Sequence, residues 1–296
     1  MNPRIAQFAR EIKRGKKITA LTAYDYPMAR LLDESGIDII LVGDSVGMVV
    51  LGHSDTTSVT MQDMIHHCRA AARGTKNALL VCDLPIGSYE TAQEAVVNSL
   101  WLVDAGAHAV KLEGGERSAR TIESIVRAGI PVMGHIGLTP QSIHQLGGHR
   151  VQGKTREAGR RLLSDALAVQ QAGAFAMVLE LVPEQLATAI TERLHVPTIG
   201  IGAGAGCSGQ VQVITDLLGM SSDFTPKHAR HYVELHTVIG AAAEAYRTDV
   251  AAGTFPGPAE STRMDDGILD EILGRTRLDR PEDIGVLHGI PLDRDL

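Results

Sequence analysis

Acidic and basic side chains recur at the ends of short apolar runs: Asp25, Asp44, Asp83, Glu113, His135 and Glu180, with Asp216 further on. The sharpest case is Ile39-Ile40-Leu41-Val42, which stops at Gly43-Asp44-Ser45-Val46-Gly47. A carboxylate at the lip of a buried strand is costly unless something pairs with it. Taken singly, each of these residues could cap a turn. Gathered on one rim, the carboxylates would repel one another without a counter-ion. A divalent cation held by hard oxygens is the natural remedy, and carboxylates without Cys or paired His favour magnesium over zinc. Lys111 precedes Glu113 by two residues, so both side chains face one side of a strand. A lysine beside a metal suits an anionic substrate such as a 2-oxo acid, whose polarised carbonyl acidifies the next carbon. Glu180, set in Met177-Val178-Leu179-Glu180-Leu181-Val182, has the most apolar surroundings and is the expected general base. His135 ends a strand and is the next candidate, against a structural hydrogen bond. The residues alone reach metal-assisted proton abstraction beside a carbonyl.

Other polar features weigh less. Gly202-Ala203-Gly204-Ala205-Gly206 could cradle an anion or allow close strand–helix packing. His66-His67 and the His228/His231 pair lack carboxylates at metal-ligand spacing and read as surface or packing histidines.

To converge, these residues need a scaffold of strands, and the chain supplies one. Strands are expected at 18–25, 39–42, 78–81, 109–113, 131–135, 176–180, 196–201 and 210–217. Helices between them are expected at 27–35, 61–73, 91–104, 117–127, 156–171 and 184–194, several stopped by glycine, with a closing helix over 227–247. A basic first helix precedes them, and an irregular segment over 137–154 has the length of a functional loop. This alternation predicts an α/β fold, a (β/α)8 TIM barrel with an N-terminal helix and a C-terminal extension. A doubly wound sheet would place its Gly-rich turn after the first strand, whereas here it follows the seventh. The expected division is a single catalytic barrel over 1–257 and a partly helical extension over 258–296. In that extension Ile268, Leu269, Ile272 and Leu273 form an apolar stripe at helical spacing, expected to dock on the barrel or on a neighbouring subunit. The Arg275–Asp283 stretch beyond it reads as solvated.

The 296 residues are 44% hydrophobic and 21% charged, ordinary values that exclude disordered and fibrous classes. A net charge of -7 with 3% aromatics speaks against nucleic acid. No apolar run has the length of a membrane span. Three widely spaced cysteines, Cys68, Cys82 and Cys207, suggest reduced thiols and, with Glu11 in the basic N-terminus, a cytoplasmic protein.

Thr22-Ala23-Tyr24-Asp25, Leu41 through Met48, Asp83-Leu84-Pro85, Val110 through Gly115 and Gly134 through Ser142 resemble the ketopantoate hydroxymethyltransferase family. Val151-Gln152-Gly153, Leu179-Glu180 and Ile199 through Gly204 continue the likeness in unbroken order. The resemblance implies transfer of a hydroxymethyl group from 5,10-methylenetetrahydrofolate to 3-methyl-2-oxobutanoate, giving 2-dehydropantoate on the route to pantothenate and coenzyme A. It implies one Mg2+ per subunit held by Asp44 and Asp83, with Glu113 reaching it through water. It also implies an oxo-acid site of Asp44, Ser45, Asp83 and Lys111, with Glu180 as proton acceptor, and a homo-oligomer, a decamer of two pentameric rings.

The chain departs from the family pattern at two places. Gly52-His53-Ser54-Asp55-Thr56 inverts the usual order of Ser and Asp, and Gly257-Pro258-Ala259-Glu260-Ser261 stands where a Glu-His pair is usual. Three rival readings use the same residues. They are a magnesium-dependent lyase or aldolase acting on another 2-oxo acid, a ligand-binding barrel without a base, and an assembly protein acting through its tail.

Overall fold

The computed structural model describes residues 5, 15–143, 147–148, 150–220 and 226–274. The expected basic first helix falls almost wholly outside them, as do the solvated stretch from Arg275 onward and parts of the 137–154 segment.

Eight parallel strands close into a barrel in sequence order. They are β1 (Ile18–Thr22), β2 (Ile39–Val42), β3 (Leu79–Asp83), β4 (Ala109–Glu113), β5 (Val132–Gly137), β6 (Ala176–Glu180), β7 (Thr198–Ile201) and β8 (Gly209–Gln212). Closure comes from β8 pairing with β1, Ala20 opposite Val211. Around the strands run α1 (Tyr26–Glu34), the single turn α2 (Val46–Val49), α3 (Met61–Gly74), α4 (Ala92–Asp104), α5 (Ala119–Arg127), α6 (Arg156–Gln171), α7 (Glu184–Arg193) and the short α8 (Ile214–Leu217).

Local chemistry sets where the helices start. Thr60 with Asp63, and Thr91 with Glu94, form reciprocal capping boxes at α3 and α4. Thr155 caps α6, and Asp25 caps α1 by accepting from the Met28 amide at 2.8 Å.

The alternation of each strand then divides the apolar residues between two cores. One parity, including Ile40, Leu80, Val110, Leu112 and Leu179, packs outward against the helices. The other fills the barrel with Ile39, Leu41, Leu79, Val81, Ala109, Met133, Ala176 and Val178. Continued along the strands, that inward parity reaches Asp83, Lys111, Glu113, His135 and Glu180. The pattern that packs the barrel floor thus points these side chains into its mouth.

Two expectations are corrected. The alternation over 210–217 extends past the strand: β8 ends at Gln212, and Ile214–Leu217 turn as a helix, their first amide donating to Thr22 Oγ1 at 2.9 Å. The closing helix, α9, spans Leu235–Ala252 rather than 227–247. By compactness the chain divides into two units, Met1–His236 and Thr237–Leu296. The second unit holds most of α9 and the amphipathic α10 (Asp266–Leu273), capped by Asp265 and stopped by Gly274 at φ 59°. Val238, Ile239, Ile268 and Ile272 are exposed.

Candidate active site

The inward residues of β3, β4, β5 and β6 form one charged cluster. Lys111 Nζ lies 3.0 Å from Asp83 Oδ2 and 3.3 Å from His135 Nδ1, all three side chains being buried. The register explains this: Asp83 pairs with Lys111, and Glu113 with His135, on neighbouring strands. Asp44 joins from the turn after β2, its amide donating to Asp83 Oδ2 at 3.1 Å. Glu113 Oε1 sits 3.4 Å from His135 Nδ1, and Glu180 Oε2 sits 3.1 Å from His135 Nε2, both off-line for hydrogen bonding.

Burial and crowding decide the charge states. Desolvation, followed by the charges of Asp83 and Glu113, pushes the Asp44 carboxyl up to about 8, against the pull of Lys111 and Gln141. Asp83 is also raised by burial, with Lys111 opposing. Burial opposes charge on Lys111, but Asp83, Glu113 and Asp44 outweigh it and hold the ammonium protonated. Burial and Lys111 likewise disfavour a charged His135, yet Glu113 and Glu180 carry it up to about 9.

The donor set fits a magnesium ion. Asp83 Oδ1 and Glu113 Oε1 are buried without a hydrogen-bond partner among the described residues. Buried oxygens in that state, beside a carboxylate driven toward protonation, suit a cation. Among the described residues no three His, Cys, Asp or Glu side chains form a ready-made cage. Magnesium takes one or two carboxylates and keeps water and substrate oxygens as its other ligands.

Several residues do not behave as the sequence suggests. Glu180 is the most open carboxylate of the cluster, its side chain 14% exposed against 1% for Glu113 and 3% for Asp83. Of the apolar neighbours in its sequence, Met177 and Leu179 belong to the opposite parity and Leu181 and Val182 follow the strand, so only Val178 shares its face. Leu181, directly after it, adopts φ 46°, a left-handed conformation rare for a branched residue. Asp25 is the exposed cap of α1 and stands outside the cluster. Asp216 lies on α8, where its strongest charged neighbours are His228 and His231.

The glycine run packs rather than binds. A Cβ on Gly204 would come within 2.4 Å of Glu184 Cγ, and one on Gly206 within 2.0 Å of Thr188 Oγ1, both on α7. His67 Nδ1 bonds the Tyr24 carbonyl at 2.7 Å, a packing role. Asp55, at the inverted loop position, caps a 3-10 turn by accepting from the Thr57 amide at 2.9 Å.

Three site residues escape sequence reasoning. Tyr24 OH is 2.9 Å from Ser45 Oγ, and burial keeps its phenol protonated. Gln141 Nε2 donates to Asp44 Oδ2 at 2.8 Å, and Tyr89 OH donates to Gln141 Oε1. A cavity of about 220 Å³ adjoins Glu113, Tyr89 and Gln141.

A closed parallel barrel with its ionisable groups at the C-terminal strand ends is a (β/α)8-barrel enzyme in architecture and site placement. The family model for ketopantoate hydroxymethyltransferase matches residues 3–258. The chain belongs to that family. It is 60% identical over 262 residues to the 3-methyl-2-oxobutanoate hydroxymethyltransferase of Chloroflexus aggregans, covering 88% of this chain and 94% of that protein. The enzyme of the same name from Enterococcus faecalis is 54% identical over 261 residues, covering 88% and 95%. Among solved structures, phosphonopyruvate hydrolase in complex with oxalate and Mg2+ aligns with a TM-score of 0.57 at 14% identity, covering 92% of this chain and 95% of that one. A 2,3-dimethylmalate lyase of the PEP mutase/isocitrate lyase superfamily aligns at 0.56 and 18% identity, covering 96% and 97%. At such identities the structural likeness speaks for the fold alone.

Proposed function

We propose that this chain catalyses transfer of a hydroxymethyl group from 5,10-methylenetetrahydrofolate to 3-methyl-2-oxobutanoate, giving 2-dehydropantoate for pantothenate and coenzyme A synthesis. The observation that carries the reading is the buried carboxylate cluster beside the Lys111 ammonium, in which Asp83 Oδ1 and Glu113 Oε1 lack a hydrogen-bond partner among the described residues. Asp44 and Asp83 would hold one Mg2+, with Glu113 joining through water. Bound there, the ion would polarise the 2-oxo group and so acidify C3 of the substrate.

The remaining work falls to the chain. Lys111, kept charged, attracts the substrate carboxylate into the barrel mouth. Tyr24 OH lies 2.9 Å from Ser45 Oγ; with the tyrosine as donor of that bond, the serine hydroxyl would be free to donate to the oxo acid. Glu180 takes the C3 proton, and its openness lets substrate approach the carboxylate. His135, at 3.1 Å, faces the charge that changes on Glu180. The carbon so freed bonds to the methylene carbon as both C–N bonds to the folate break. Water supplies the hydroxyl of the product, and tetrahydrofolate leaves with the C3 proton and one proton of the water on its two nitrogens. A cavity of about 730 Å³ beside the ends of β4 and β5 supports a bulky second substrate, with Arg117 and Arg161 in its lining.

The homo-oligomer and decamer readings are supported by apolar side chains left exposed on α4, α9 and α10, among them Trp101, Ile239 and Ile272. The cytoplasmic reading draws on three buried cysteines that remain unpaired. The test is product formation under Mg2+ titration with the folate present, across a panel of 2-oxo acids. Turnover confined to 3-methyl-2-oxobutanoate, and lost with EDTA, supports the reading. Preferred cleavage of another 2-oxo acid without folate overturns it.

A further inference from the structure

Gln141 is not among the residues that the resemblance implies, yet its side chain holds the carboxylate cluster together. It sits on the 3-10 turn Pro140–Ser142 after β5 and is 5% exposed. Its main-chain amide donates to Glu113 Oε2 at 3.1 Å. Its side-chain Nε2 donates to Asp44 Oδ2 at 2.8 Å and to the Leu84 carbonyl at 2.9 Å, while Oε1 accepts from Tyr89 OH. Both amide protons and the amide oxygen are therefore engaged. Turning the amide over would set its oxygen against two acceptors, so Tyr89 and Leu84 fix its orientation.

The consequence falls on the oxygens that remain. Gln141 takes Oδ2 of Asp44 and Oε2 of Glu113, while Lys111 and the Asp44 amide take Oδ2 of Asp83. Asp83 Oδ1 and Glu113 Oε1 are buried without a hydrogen bond among the described residues, Glu113 Oε1 lying 3.4 Å from His135 Nδ1, and the bond from Gln141 to Asp44 engages Oδ2 rather than Oδ1. We propose that Gln141, oriented by Tyr89, is the positioning residue that fixes Asp44 and Glu113 so that one oxygen of each faces a divalent cation. The proposal rests on the reading of this cluster as a magnesium site. It ties the loop after β5 to cation affinity, because the residue that aims Asp44 rides on that loop and not on β2.

The test measures cation binding without turnover. Free Mn2+ is followed by electron paramagnetic resonance as the full-length protein is titrated, with thermal melts to show that each variant is folded. Gln141→Met keeps the length of the side chain and removes its polar atoms. Loss of such an outer partner weakens affinity by about 10–100-fold in metal sites, and that range is expected for this variant. Tyr89→Phe, which leaves the amide oxygen without its donor while Asp44 and Leu84 still hold the nitrogen, should weaken affinity less. The double variant should bind no more weakly than Gln141→Met alone, because Tyr89 acts through Gln141. In turnover, Gln141→Met should need more Mg2+ but recover kcat at saturating ion, a split that loosened packing would not give. A folded Gln141→Met protein with unchanged Mn2+ affinity overturns the proposal and leaves the metal reading standing. Failure of the unaltered protein to bind Mn2+ removes both. Should Gln141→Met not fold, Tyr89→Phe decides: unchanged affinity overturns the proposal, and weakened affinity supports it.

Discussion

At the residue scale the site is a problem of excess negative charge in a dry place. Asp44 carries the clearest sign of it, since burial and its neighbours raise its proton affinity into the neutral range. A cation must therefore compete with a proton for this carboxylate. Below about pH 8 binding displaces the proton, so affinity should rise with pH and level off above that value. Calorimetric Mg2+ titrations at pH 7 in buffers of different ionisation enthalpy should report proton release approaching one per site; no release would mean that Asp44 is already ionised before the cation arrives. Asp83→Asn should remove most activity and also lower stability by about 3–5 kcal/mol, because Lys111 loses its buried partner. Chemical denaturation checks this, and unchanged stability would show that another group neutralises the lysine. Asp83 and Glu113 were legible in the sequence because they end apolar strands, and Lys111 because it precedes Glu113 by two residues on the same face. Gln141 was not: its contact with Asp44 spans 97 positions, and no local pattern encodes it. The openness of Glu180 was missed for a related reason, since neighbours along a strand point the other way.

At the element scale, strands and caps do the positioning. The bounds of β4, β6 and α6 follow directly from apolar runs and glycine or threonine punctuation. At β8 the same reading overran, because alternation over 210–217 looks alike whether Ile214 continues a strand or starts a helical turn. The end of β5 shows how tightly an element can constrain the chemistry. Gly137 has φ 95°, and a Cβ there would stand 2.2 Å from the carbonyl oxygen of Glu180. Gly137→Ala must therefore strain its own backbone and push on β6. A loss of at least about 1–2 kcal/mol is expected from the left-handed conformation alone. Turnover should fall further than stability explains, because the displaced residue is Glu180. An unchanged melting temperature with unchanged kcat would mean that β5 and β6 adjust freely there.

At the scale of the whole molecule, the barrel unit carries the cluster, while the tail is a separate matter. The apolar stripe at Ile268, Leu269, Ile272 and Leu273 predicted a helix, and α10 forms there. Truncation after Gly257 should leave catalytic chemistry intact and lower thermal stability or subunit assembly. Activity, melting and light scattering on the truncated chain test this; normal folding and assembly with lost turnover would put the tail in the site.

On the proposed function, the barrel mouth removes the C3 proton of 3-methyl-2-oxobutanoate through Glu180, before and independently of carbon transfer. Proton NMR in D2O with Mg2+ and no folate measures this most directly, as loss of the methine signal and collapse of the methyl doublet. The unaltered enzyme should exchange this hydrogen, and EDTA should abolish the exchange. Glu180→Gln should bind the oxo acid nearly as well but exchange roughly 10²–10⁴-fold more slowly, the usual cost of a missing general base. Exchange by Glu180→Gln at the unaltered rate would contradict the claim and pass the role of base to another group, with His135 the first candidate.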